Sequence, residues 1–138
     1  MANINTFIDH IRNNIIVMPE FTAVNLGMND INRRYNPKVK DRKPNEYPAI
    51  ALSYDFNNRE RWAPIDNVNF FIQIEMKEFD DVQTLAEALR DKFGNRYQAV
   101  DGVLIIHGMW HDGGDTQPIY HEAHNTYFSL LKFKTILG

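Results

Sequence analysis

The ten residues VNFFIQIEMK, running from Val68 to Lys77, constrain the fold more than any other stretch. Val68, Phe70, Ile72, Ile74 and Met76 alternate with Asn69, Phe71, Gln73, Glu75 and Lys77. Successive side chains on a strand point to opposite faces, so this period of two predicts a β-strand with one apolar face and one mostly polar face. Phe71 is the one large apolar residue on the polar side. The segment YPAIALSYDF repeats the pattern, with Ile50, Leu52, Tyr54 and Phe56 on one face and Ala49, Ala51 and Ser53 on the other. The intervening NNRERWAPID is too long for a two-residue hairpin turn. The two strands are therefore expected to pair through an extended loop or arm, with Trp62 exposed on a monomer.

Helices show a different period. Ile4, Phe7, Ile8, Ile11, Ile15 and Met18 recur every three or four positions, predicting an amphipathic helix ended by Pro19. Val82, Leu85, Ala86, Leu89 and Phe93 predict a second, with Asp80 as N-cap, Gln83 completing a capping box and Gly94 as the stop. After a turn at Asp101-Gly102, VLIIHGMW reads as a third strand and TYFSLLKFKTIL as a fourth. The segment from Glu20 to Tyr47 has no sustained period, and a gap of that length inside a domain is either functional or disordered. The expected fold is one α+β domain over residues 1–138: a four-stranded mostly antiparallel sheet, two main helices packed on one face, order α-β-β-α-β-β, and a long loop after the first helix.

Charge is uneven along the chain. RRYNPKVKDRK holds six basic residues against Asp41, a sum of +5 that leaves −8 on the rest of a chain of net charge −3. Such asymmetry points either to a solvated loop or to contact with nucleic acid or an acidic protein surface. Stacking platforms for nucleic acid present several aromatics on a basic sheet face, whereas the best strand here sets Glu75 beside Phe71, so sequence-specific binding is not expected. The chain has no cysteine, which excludes disulfides and thiolate metal sites and fits a cytoplasmic origin. No apolar run approaches the ~20 residues that span a bilayer, and MANINTFIDHIRNN lacks the pattern of a secretion signal.

The stretch HGMWHDGGDTQPIYHEAH gathers His107, His111, His121 and His124, four of the five histidines, with Asp112, Asp115 and Glu122. A helical zinc motif needs His-Glu-x-x-His, which sets two imidazoles four apart on one face. HEAH sets them three apart, and its neighbours favour strand. DGGD lacks the ligand ladder of a calcium loop and reads as a hairpin turn in which the glycines take positive φ. On this view HGMW ends one strand, HDGGDTQP turns, and IYHEAH begins the return. No cysteine nucleophile, Gly-x-Ser-x-Gly elbow or phosphate-binding glycine loop occurs, so no reaction is specified.

Taken together, YPAIALSY, VNFFIQIEM running into DDVQTLAEALRDKFG, and the closing TYFSLLKF resemble the tail terminator (tail completion) proteins of long-tailed bacteriophages, over roughly residues 5–137. The resemblance implies a structural virion subunit, not an enzyme, with no required cofactor, and the histidine spacing assigns no metal. It implies a homo-oligomeric ring, a hexamer, that caps the tail tube protein and meets a head-tail connector or stopper. DNA would pass through the lumen without sequence-specific binding. Basic residues lining that lumen would drag on phosphate, so Arg33, Arg34, Lys38, Lys40, Arg42 and Lys43 are expected against a neighbouring subunit. Arg59, Arg61, Trp62, Phe71, His111, Asp112 and Asp115 complete the expected subunit or partner interface. Two alternatives stand beside it: another neck ring protein, such as a connector or stopper, and a small metal-dependent enzyme built on His107, His111, His121 and His124.

Overall fold

The structure is a computed structural model that describes residues 4–24, 26, 31–32, 50–58 and 66–138. Among these residues three helices, α1 (Ile4–Ile15), α2 (Pro19–Ala23) and α3 (Phe79–Phe93), accompany seven strands. These are β1 (Ile31–Asn32), β2 (Ile50–Asn58), β3 (Asp66–Met76), β4 (Ala99–Asp101), β5 (Leu104–Gly114), β6 (Ile119–His121) and β7 (Thr126–Leu137). They join one sheet in the order β1-β2-β3-β7-β5-β4, with β6 also paired to β7. All pairings are antiparallel except the short β1–β2 pair.

The expected four-stranded sheet with two helices in the order α-β-β-α-β-β is therefore corrected to a seven-stranded, mostly β structure, in the order α-α-β-β-β-α-β-β-β-β among the described residues. The physical reason lies in element length. β1, β4 and β6 are two or three residues long, too short to show alternation, and they exist because longer strands offer them pairing partners. The long loop after the first helix is likewise interrupted by α2 and β1. Pro19 does not merely end a helix: it occupies the first turn of α2, where a missing N–H costs nothing.

β3 lies at the centre. Its register with β2 sets Leu52 opposite Ile72 and Tyr54 opposite Phe70, and its register with β7 sets Phe70 opposite Phe133 and Ile72 opposite Leu131. Val68, Phe70, Ile72 and Ile74 are buried, as the period of two requires. Phe7, Ile8, Ile11 and Ile15 of α1 and Val82, Leu85, Ala86, Leu89 and Phe93 of α3 close the same apolar cluster. At ~1.5–3 kcal/mol for each large apolar side chain removed from water, this cluster dominates stability.

Two local expectations change. α3 begins at Phe79, so its N-cap is Glu78, without a side-chain cap hydrogen bond, and not Asp80. Asp80 and Asp81 instead lie in the first turn, where their charge faces the positive end of the helix dipole. Gly94 does end α3, but at φ −91°, so close approach requires it and not backbone handedness. A Cβ there would collide with the Arg90 carbonyl and with His111. The second change concerns HDGG, which does not turn. β5 runs through it to Gly114, with register shifts between Ile106 and Gly108 and between His111 and Gly113, and the chain reverses only after β6.

Candidate functional site

Reversal after β6 builds a polar cluster around a buried carboxylate. β6 pairs with the start of β7, His121 opposite Thr126, and residues 122–125 make the turn, with Asn125 at φ 54°. The backbone N–H of His124 donates to the His121 carbonyl at 3.2 Å, and the Tyr120 hydroxyl donates to the Asn125 side-chain carbonyl. Three-residue spacing, wrong for a helical zinc motif, is right for this turn: it brings the two imidazoles edge to face with ring centroids 3.7 Å apart.

Those rings face Glu75. Glu75 sits on the polar face of β3, opposite Phe128 of β7, and is only 6% exposed. Its Oε1 stands 2.8 Å from His124 Nδ1 and 3.3 Å from His121 Nδ1, and it accepts a 2.6 Å hydrogen bond from the Thr126 hydroxyl. A buried carboxylate is costly unless its oxygens are satisfied, and here one hydroxyl and two imidazoles converge on it. The His121 ring also packs edge-on against Phe128 at 5.7 Å.

A second cluster ties α1 to the far end of the sheet. His10 Nδ1 is 2.9 Å from Asp101 Oδ2, and His10 Nε2 is 2.7 Å from the Tyr97 hydroxyl. The carboxylate can only accept, so Nδ1 carries a proton toward Asp101, and Nε2 shares a hydrogen bond with the Tyr97 hydroxyl. Burial, and secondarily the charge of Asp101, raise the Tyr97 pKa above that of an ordinary phenol. The folded chain thus holds a proton that the unfolded chain releases at about pH 10, and stability falls as pH rises through that range. Tyr97→Phe is expected to remove a component that ionises above the ordinary phenol range from an alkaline absorbance titration and to flatten the alkaline loss of stability.

β4 forms one edge of the sheet and, among the described residues, pairs only with β5. The β4–β5 hairpin turns at Gly102, φ +59°, and carries Val100 at 76% and Val103 at 88% exposure, with Ile105 partly exposed behind them. Three apolar residues thus stand in water beside an open strand edge.

The residues singled out from sequence are scattered across this frame. Arg33, Arg34, Lys38, Lys40, Arg42, Lys43, Arg59, Arg61 and Trp62 lie outside the described residues. Phe71 is half-buried on the polar face of β3, between Ser53 and Lys132. The His111 ring packs within the subunit, edge-on to Phe133 at 5.8 Å, while its Nε2 is buried without a hydrogen-bond partner among the described residues. Asp112 is exposed and 3.8 Å from Lys132 Nζ, and the exposed Asp115 accepts from the backbone N–H of Gln117 at 2.9 Å. The four histidines of the alternative enzyme do not converge: His121 and His124 meet Glu75, whereas His111 packs on Phe133 and His107 lies against Gly138 at the chain end. Sequence reasoning missed Glu75, Thr126 and the valine pair. Val100 and Val103, flanking Asp101-Gly102, did carry a signal, since two β-branched residues astride a tight turn have little core within reach.

No family model and no curated protein matches the chain. No helix among the described residues is long and apolar enough to cross a membrane.

Proposed function

We propose that this chain is a ring-forming structural subunit of the tail terminator type, located in a virion, that caps a tail tube and meets the head-tail connector or stopper. Its partners are further copies of itself, the tube protein and the connector, with DNA passing through without sequence-specific contact and no reaction catalysed. The observation that carries this reading is the apolar β4–β5 hairpin on a sheet edge that is open among the described residues. An unpaired edge strand is a template for another chain, and an apolar patch beside it gains free energy when a neighbour covers it. A ring uses two different patches per subunit, so this edge would meet a distinct surface of the next copy. The +5 segment against an acidic remainder supplies charge complementarity of the same head-to-tail kind.

The test is self-association by light scattering across a concentration series, alone and with purified tail tubes, for the native chain and for Val100→Asp/Val103→Asp. Two valines at ~1.5 kcal/mol each amount to a loss of over ~100-fold in association. The doubly substituted chain should stay monomeric with an unchanged circular dichroism spectrum. If it assembles as the native chain does, the hairpin is not the interface. If the native chain neither self-associates nor decorates tube ends in electron micrographs, the ring function itself is wrong.

A further inference from the structure

We propose that Glu75, His121 and His124 bind one divalent transition-metal ion of the zinc class, which clamps the β6–β7 hairpin to β3. The site goes beyond the ring function and does not depend on it. One ligand atom from each of the three residues falls within 4.8 Å of the others. Around a tetrahedral zinc with bonds of ~2.0–2.1 Å, ligand atoms stand about 3.3 Å apart. His121 Nδ1 is 3.3 Å from Glu75 Oε1 already, and His124 Nδ1, at 2.8 Å, needs to open by only about half an ångström. Without an ion, the Thr126 hydroxyl and both imidazoles crowd onto one carboxylate oxygen, which has two lone pairs. A cation among the three ligand atoms replaces that crowding with coordination.

Ligand type narrows the ion. Two imidazoles and a carboxylate suit zinc, copper or nickel, whereas calcium and magnesium prefer oxygen-rich shells. Thr126 would be a positioning residue: its 2.6 Å hydrogen bond orients the carboxylate, the part that outer partners play at metal sites. The Glu75 side chain is 4% exposed while the His121 side chain is 37% exposed, so the fourth position opens toward solvent on the His121 side and water fills it. The ion would join three segments that lie far apart in sequence or across a turn: the end of β3, the end of β6 and the turn before β7.

Tag-free protein stripped with EDTA and titrated calorimetrically with zinc chloride near neutral pH should take up one ion per chain. Glu75→Gln, His121→Ala and His124→Ala should each weaken uptake by at least ~100-fold, and Thr126→Val by ~10–100-fold. His107→Ala, altered at the opposite end of β5, should bind as the native chain does. Cobalt(II) gives a readout that a merely structural role would not move: the visible absorption of a four-coordinate ion, present in the native chain and absent in His124→Ala of unchanged circular dichroism. Uptake well below one ion per chain overturns the site, and so does uptake that survives His121→Ala and His124→Ala.

Discussion

Phe70→Ala is expected to lower the free energy of unfolding by about 3–5 kcal/mol, enough to leave a domain of ordinary stability partly unfolded. Phe70 is fully buried at the centre of the central strand, between Tyr54 of β2 and Phe133 of β7. Its ring meets Phe7 of α1 edge-on at 5.0 Å, so the substitution removes both core volume and the aromatic contact that seats the N-terminal helix. Such a pair adds ~0.5–1.5 kcal/mol beyond area alone. Neighbouring strands are fixed by their backbone ladders and cannot close inward on the cavity. Phe71→Ala, one residue along but on the opposite, half-buried face, should cost about 1 kcal/mol. Urea unfolding of the two variants side by side checks the assignment of faces: equal losses would mean that β3 is not oriented as described.

That contrast also shows what the sequence makes legible. Alternation from Val68 to Met76 is long enough to define a strand and its inward face, and the structure buries Val68, Phe70, Ile72 and Ile74 accordingly. The stripes of α1 and α3 are legible for the same reason, because each spans several turns of consistent period. Elements of two or three residues carry no period, so β1, β4 and β6 were invisible, and with them the width of the sheet. Glu75 was hidden by a different effect. On the strand pattern it belongs to the polar face and reads as solvated, yet the β6–β7 turn brings Thr126, His121 and His124 onto it. Burial of that carboxylate is decided by a hairpin nearly fifty residues later, a distance local patterning does not cross. The histidine cluster was visible as composition, but its real partner was not, and a helical template was the wrong geometry for residues that meet across a turn. His10 shows the same limit: it looks like a polar interruption of an apolar stripe until β4 delivers Asp101 to it.

Gly114→Ala is expected to cost about 3 kcal/mol or more, well above Gly113→Ala, although the two glycines are adjacent and both take positive φ. At Gly113, φ +152°, an added Cβ meets only the Lys132 side chain, at 3.8 Å, so the cost is backbone strain of about 1–2 kcal/mol. At Gly114, φ +81°, the same atom would overlap the backbone carbonyl of Leu130. That carbonyl belongs to β7, which is paired with β3 along its other edge and has no room to retreat. β5 must then either give up its last pairing, Gly114 with Leu131, or shift the bulge that begins at His111. Either change moves residues 115–118, which lead directly into β6, and so displaces His121 from Glu75. Chemical denaturation of the two variants should show the difference in stability. Zinc titration of whatever folded Gly114→Ala remains should show weakened uptake, while Gly113→Ala keeps the native affinity within about threefold. If the two substitutions cost the same, the close approach of Gly114 to β7 is not what fixes the path of the chain from the sheet into the histidine turn.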